Sequence, residues 1–137
     1  MKIDKYDMPE DLFYHKEHVW AKIEGETAKV GVTDFTQQMA GEISYVQMPF
    51  DGDEVKKDDQ VGTIETKKWT GNLYTPLSGT VKATNENLLD DPSIINSDPY
   101  GEGWIFELDL SDSKEAESLM QGKDVEAWLK EEIAKHA

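Results

Sequence analysis

The chain has 137 residues, a length that suits one domain with a modest hydrophobic core. Its 29 acidic and 14 basic side chains give a formal net charge of −15, and every basic one is a lysine. Because such a field repels polyanions and no guanidinium is present, nucleic-acid binding is disfavoured. The chain contains no cysteine, so any redox chemistry must come from an attached or bound group.

No apolar stretch approaches the roughly 18 residues needed to cross a bilayer. The first residues also lack the apolar segment of a signal peptide, so we expect a cytoplasmic protein with no membrane partner. The acidic surface fits two interpretations, which are general solubility and steering toward partners with basic docking surfaces.

Short strands with turn signals dominate the chain up to residue 108. Alternating apolar and polar residues over 19–24 and 27–33, joined by a turn at Gly25, predict a β-hairpin. Further strands are predicted over 43–48, 60–66, 72–74, 79–84 and 104–108. Many short strands followed by a helical end predict a compact β-sandwich or barrel.

One short helix interrupts the strands. It is predicted over 34–40, with Thr33 or Asp34 as its N-cap and Gly41 as its end. The segment 85–103 is predicted to be mostly irregular, with room for short helical turns.

The end of the chain is predicted to be helical. From Asp112 onward the composition shifts to Glu, Lys, Ala, Ser and Leu, and Gly122 divides this tail. The second part starts with Asp124 as its cap and places four apolar side chains on one face: Val125, Trp128, Leu129 and Ile133. That face must be buried, either on the parent domain or against a partner.

The predicted turn between strands 60–66 and 72–74 holds the clearest chemical feature of the sequence. Lys67 and Lys68 lie in this turn. An amine presented on a rigid turn can be acylated by a modifying enzyme and then serve as a tether. The pattern therefore indicates a carrier with a covalently attached arm.

Several motifs support this interpretation, and they lie at 18–20, 30–34, 41–43, 52–55, 61–68, 74–81 and 96–104. In combination they resemble the biotinyl/lipoyl-domain core and, more closely, the H-protein family of the glycine cleavage system. The resemblance implies a mostly β barrel-sandwich hybrid with short helices. It also implies a lipoyl-carrier domain over residues 1–110, with a C-terminal helical extension over 111–137 packed on it.

The resemblance also implies the site. The family's modified lysine lies three residues after a strand-end glutamate and six before a tyrosine, which here is Lys68 between Glu65 and Tyr74. The implied cofactor is lipoic acid, attached covalently to Lys68. Because adjacent side chains on a strand point to opposite sides, we expect only one of the two lysines to be presented outward, and we assign Lys68. Lys67 is interpreted as a solvated surface lysine that helps a ligase to dock. Trp69 either packs on the sheet or contacts the dithiolane or a partner.

The resemblance implies a carrier without catalytic residues, which a lipoate ligase or lipoyl transferase must load. The Lys-Trp pair at 68–69 and the terminal helix look more like a sister group, the H-like lipoate-binding proteins. Those are associated with sulfur oxidation by a heterodisulfide-reductase-like complex, so the arm would shuttle a sulfur-bound intermediate. The alternative is the glycine cleavage H protein, which carries an aminomethyl group between glycine decarboxylase and aminomethyltransferase and needs dihydrolipoamide dehydrogenase. We expect a monomer in either pathway.

Other classes of function have weaker support. A biotin carrier of the same fold is disfavoured because the usual Met-Lys-Met setting is absent. An unmodified acidic interaction module remains a third interpretation. His15 and His18 are spaced so that a strand would place their rings on opposite faces, and we therefore predict no metal site.

Overall fold

The computed structural model describes residues 2–135, so residue 1 of the predicted carrier domain and residues 136 and 137 of the predicted extension lie outside the described residues. The described strands are β1 (Lys2–Ile3), β2 (Tyr6–Asp7), β3 (Phe13–His15), β4 (Val19–Glu24), β5 (Thr27–Val32), β6 (Ile43–Gln47), β7 (Glu54–Val55), β8 (Gln60–Thr66), β9 (Thr70–Tyr74), β10 (Gly79–Thr84) and β11 (Phe106–Leu110). The α-helices are α1 (Asp34–Ala40), α2 (Asn87–Asp90), α3 (Ile94–Ser97) and α4 (Lys123–Lys135), and Ser113–Ser118 form a 3₁₀ helix. None of the helices within 2–135 is both long and apolar enough to span a membrane.

The strands pair antiparallel in sheets of six, three and two strands. The large sheet has the order β3-β4-β5-β11-β10-β7, the small sheet has the order β6-β8-β9, and β1 pairs with β2. Buried apolar residues of the two larger sheets form one core, which includes Val30, Val46, Ile64, Leu73 and Leu108. The prediction of a mostly β architecture with short helices and a C-terminal helix is confirmed.

Helix α1 has the caps that its sequence predicts. The side-chain oxygen of Thr33 accepts a hydrogen bond from the Thr36 backbone N–H at 3.3 Å, which satisfies one of the donors left free at a helix start. Gly41 ends the helix with φ of 80°, a left-handed value that glycine adopts without steric cost. These caps fix the ends of a short helix that carries part of the candidate site.

Both ends of the described chain pack into a second apolar cluster. Tyr6 of β2 and Phe35 of α1 meet with ring centroids 4.9 Å apart in an edge-to-face arrangement. Val125 and Leu129 of α4 are fully buried in the same cluster. The apolar face of α4 therefore packs on the chain's own body, as the first of the two interpretations expected.

The structure differs from the predicted elements in a few places. The hairpin β1–β2 is absent from the prediction, since two-residue strands carry no periodicity. The last strand spans Phe106–Leu110 rather than 104–108. It extends to Leu110 because Leu110 pairs with Gly79 of β10, whereas the Trp104 carbonyl accepts a hydrogen bond from the Asn85 side chain instead of a strand partner. Helix α4 begins at Lys123, one residue before the predicted cap.

Candidate functional site

The two lysines lie at the tip of the β8–β9 hairpin. Glu65 and Thr70 are the last pair in the strand register, and the Thr66 N–H donates to the Trp69 carbonyl at 2.8 Å. Lys67 and Lys68 are therefore the two central residues of the turn. The β-branched residues of β8 favour an extended strand, so the turn is held at the end of a regular strand pair.

Both lysines are exposed. The expectation that only one of them is presented rests on strand alternation, and it is wrong because both residues lie in the turn rather than in a strand. The backbone N–H of Lys68 lies 3.4 Å from the Thr66 hydroxyl, which adds a polar contact to the bend. Exposure does not distinguish Lys67 from Lys68, so their spacing from Glu65 remains the basis for choosing between them.

The other predicted site residues flank the turn. Glu65 is half-buried at the end of β8, where its cross-strand neighbours are Tyr45 and Thr70. Trp69 follows the lysines and is 46% exposed. Its indole lies over Gly71, a residue that is not among the predicted site residues. A Trp-x-Gly pattern on a strand is the signal that could have found it, because residues two apart share a face.

An apolar cleft of about 440 Å³ opens beside this hairpin. Its lining comes from β4, β5, α1, β8 and β9 and their flanking residues, and comprises Glu17, His18, Val19, Val32, Phe35, Thr36, Met39, Ala40, Ile64, Trp69, Asn72 and Tyr74. A second groove, of about 380 Å³, is lined by Thr66, Lys67, Lys68 and residues from the end of α1 to the start of β6. The two lysines therefore line the second groove, and the next residue, Trp69, lines the apolar cleft.

The wall formed by α1 is held by hydrogen bonds from distant segments. The Asn96 side chain accepts from the Ile43 N–H at 2.9 Å and donates to the Gly41 carbonyl at 2.7 Å. The Tyr100 hydroxyl accepts from the Asp34 N–H at 2.8 Å. A tyrosine hydroxyl is protonated at neutral pH in any case, and burial raises the pKa of Tyr100 further.

His18 connects the cleft to α4. Its ring lies 4.9 Å from Phe35 and 4.8 Å from Trp128 between centroids, and its Nε2 lies 2.7 Å from Glu132 Oε1. Burial alone would raise the pKa of Glu132, but hydrogen bonds from Lys135 and His18 outweigh it and hold that pKa below its usual value. The C-terminal helix thus fixes one side of the cleft.

His15 lies in a different setting. Its Nδ1 accepts from the Glu17 N–H at 3.0 Å, so its Nε2 carries the proton and donates to Asp58 at 2.5 Å. This hydrogen bond holds the pKa of Asp58 below its usual value. The two histidines therefore have separate partners, and no group of three or more potential metal ligands is found among residues 2–135.

Comparisons with known proteins place this geometry in a family. The model of the glycine cleavage H-protein family matches residues 12–132, which is most of the chain. The chain belongs to the glycine cleavage H-protein family. The match includes the lysine hairpin, the cleft and most of α4, whereas the β1–β2 hairpin lies outside it.

Individual relatives agree with the family match. The chain is 43% identical over 126 residues to a glycine cleavage system H protein from Anaeromyxobacter sp. (strain K), covering 92% of this chain and 98% of the relative. It is 38% identical over 125 residues to the one from Carboxydothermus hydrogenoformans, covering 91% and 96%. The crystal structure of a glycine cleavage system H protein from Mycobacterium marinum superposes with a TM-score of 0.77 at 28% identity, covering 85% of this chain and 94% of that one.

Members of this family are non-catalytic carriers within a multienzyme system, and they carry lipoic acid on a lysine. The expected lipoyl-type fold and the cofactor class are therefore confirmed. The residues of this chain fit such a group. An exposed lysine on a stiff turn can be acylated, and the adjacent cleft offers apolar surface to an alkyl arm.

Proposed function

We propose that this chain is the lipoyl-bearing H protein of a glycine cleavage system and that Lys68 is the attachment residue. The observation that carries the proposal is the place of Lys68, exposed at the tip of a two-stranded hairpin beside an apolar cleft. The spacing of Lys68 from Glu65 and Tyr74 supports its choice over Lys67.

The chain contributes position rather than catalysis in this role. The paired strands β8 and β9 fix the position of the turn that carries Lys68. The length of an arm attached to Lys68 therefore limits the region that its far end can reach. The attached group, when present, supplies a cyclic disulfide that can be opened by reduction or thiol exchange. Tethering raises the concentration of that group at each partner's active site and prevents its loss to solution.

The partners follow from the role. A lipoate ligase or lipoyl transferase loads the arm, and glycine decarboxylase, aminomethyltransferase and dihydrolipoamide dehydrogenase use it in turn. The net charge of −15 favours partners whose docking surfaces are basic. We further propose a monomer in which residues 1–110 form the carrier domain and residues 111–137 form a C-terminal helical extension packed on it.

Service in heterodisulfide-reductase-like sulfur oxidation is the second candidate. The observation that favours it is the Lys68-Trp69 pair, because the family's lysine is commonly followed by a small residue. The terminal helix does not add support, since the family match extends to residue 132. The relatives' names favour glycine cleavage, so we place that pathway first.

Two experiments test these proposals. The protein is incubated with lipoate, ATP and a lipoate ligase, and its intact mass is measured for the wild type, Lys68→Arg and the matched control Lys67→Arg. We expect one lipoyl mass in the wild type and in Lys67→Arg, and none in Lys68→Arg. A lipoyl mass that survives Lys68→Arg refutes the assigned residue.

The pathway is tested by reconstitution. The lipoylated protein is mixed with glycine decarboxylase, aminomethyltransferase and dihydrolipoamide dehydrogenase, and glycine-dependent NADH formation is followed. We expect turnover that disappears with Lys68→Arg. A fully lipoylated protein that supports no turnover, beside a positive-control H protein that does, would favour the sulfur-oxidation pathway.

A further inference from the structure

The indole of Trp69 packs against Gly71, a residue of the strand that follows the lysine turn. A Cβ built on Gly71 would lie 2.0 Å from Cη2, 2.4 Å from Cζ2 and 2.8 Å from Cζ3 of Trp69. The six-membered ring therefore occupies the space that any side chain at position 71 would fill. This contact fixes the direction of the indole although the residue lies at an exposed turn.

The backbone itself does not require glycine at position 71. The φ angle of Gly71 lies outside the left-handed region, and the residue pairs in register with Ile64 of β8. Glycine inside a strand weakens it, and its presence often marks a close approach by another group. Here the approaching group is the Trp69 indole.

Packing on Gly71 leaves much of the indole open. Trp69 is 46% exposed and lines the cleft, and Met39 of α1, which lines the same cleft, is 50% exposed. If Trp69 only stabilised the sheet, deeper burial of its side chain would stabilise the fold more. The structure instead presents aromatic surface at the edge of the cleft, one residue from Lys68.

We propose that Trp69, seated on Gly71, binds the dithiolane end of the arm on Lys68. This inference rests on the proposed function, since it assumes a lipoyl group on that lysine. Sulfur makes favourable contacts with aromatic rings, and the oxidised dithiolane offers two adjacent sulfur atoms. Because Lys68 and Trp69 are neighbours, the tether supplies a high effective concentration, so a contact that is weak in free solution is well populated.

Indole fluorescence gives a direct test, because a disulfide in contact with an indole quenches its emission. The wild type is prepared in unmodified, octanoylated and lipoylated forms, each verified by intact mass. The chain has four tryptophans, and Trp69 is the exposed one, since the other three are buried or half-buried. We expect lipoylation, but not octanoylation, to remove most of the emission that Trp69 contributes, and reduction of the dithiolane by a phosphine to restore it.

Variants assign the quenching to its residues. Trp69→Phe should leave an emission that no longer responds to lipoylation, and Gly71→Ala should abolish the response by displacing the indole. Thr70→Ala, at the exposed position between them, is the matched control and should behave as the wild type. If lipoylation quenches Trp69→Phe as strongly as the wild type, the proposal is wrong. If Trp69→Phe instead raises only the KM of the ligase or a partner enzyme, the indole is a docking contact and the proposal is also overturned.

The test separates this inference from the proposed function. Absence of any lipoyl mass refutes the lipoyl carrier, and the contact can then still be measured by titrating lipoamide into the unmodified protein. Saturable quenching by lipoamide that is lost in Trp69→Phe supports a dithiolane-binding surface. An unquenched lipoyl form refutes it, and if no lipoyl form can be made, absence of saturable quenching by lipoamide refutes it.

Discussion

Gly62 of β8 offers a quantitative test of how the lysine hairpin is held on the core. A Cβ at Gly62 would lie 2.0 Å from the carbonyl oxygen of Gln47 in the neighbouring strand β6. Side-chain Cβ atoms stay at least about 3.0 Å from such atoms, so the two strands would have to separate by about 1 Å. The oxygen belongs to the backbone and cannot rotate away as a side chain would.

We therefore expect Gly62→Ala to be strongly destabilising. Overpacking costs about 1–3 kcal/mol, and weakening a ladder hydrogen bond adds about 1 kcal/mol. A loss of about 3 kcal/mol corresponds to a midpoint shift of about 1.5 M in urea for a slope near 2 kcal/mol per molar. The free energy of unfolding is measured by urea denaturation, with far-UV circular dichroism as the probe.

Gly25→Ala is the matched control for this measurement. Gly25 has a φ of 62°, but a Cβ added there would have no atom within 4 Å, so alanine meets conformational strain without a clash. That strain costs about 1 kcal/mol. A Gly62→Ala protein as stable as Gly25→Ala, or more stable, would refute the steric reasoning and the close β6–β8 approach behind it.

Three further predictions use the same unfolding assay. Leu129→Ala should cost about 2–5 kcal/mol, because it leaves a cavity under α4, whereas Lys130→Ala on the exposed face should cost less than about 0.5 kcal/mol. Asn96→Ala should cost about 1–3 kcal/mol, because it leaves two backbone groups beside the lysine turn without their partner, and Ser97→Ala is its control. Since the pKa of Asp58 is lowered in the folded state, the stability it contributes is present at neutral pH and is lost as pH falls through that lowered pKa. The difference in urea midpoint between wild type and Asp58→Asn should therefore shrink toward acid pH, and a difference that grows would contradict the assigned interaction.

The local elements can be predicted because their signals are local. Alternation with Gly25 at the turn predicts the hairpin formed by β4 and β5, and Thr33 and Gly41 predict both ends of α1. The lysine turn is recognisable because two β-forming runs flank residues 67–68. In each case the determining residues lie within one or two turns of the feature that they specify.

The cleft cannot be predicted in this way, because its walls are distant in sequence. Val19, Phe35 and Ile64 come together only when the two sheets pack, and no spacing rule connects them. The β1–β2 hairpin escapes prediction for a related reason, since Tyr6 is held by its contact with Phe35 rather than by strand propensity. The contact between Trp69 and Gly71 is an intermediate case. The two residues are close in sequence, but their spacing predicts a contact only once the segment is known to be a strand.

The two ends of the chain explain how a small carrier keeps such a cleft open. A wall made by one short helix would collapse onto the core if only its inner face were packed, because apolar surface left open to water in a cleft costs free energy. Tyr6 contacts Phe35 of that helix, and Trp128 of α4 contacts His18 beside it, so the wall is supported from the chain's two ends. The opposite side of the cleft carries the exposed hairpin and the half-exposed Trp69. The α1 side of the cleft is therefore the supported side, and the hairpin side is the exposed one. A tethered group would enter and leave the cleft on the hairpin side.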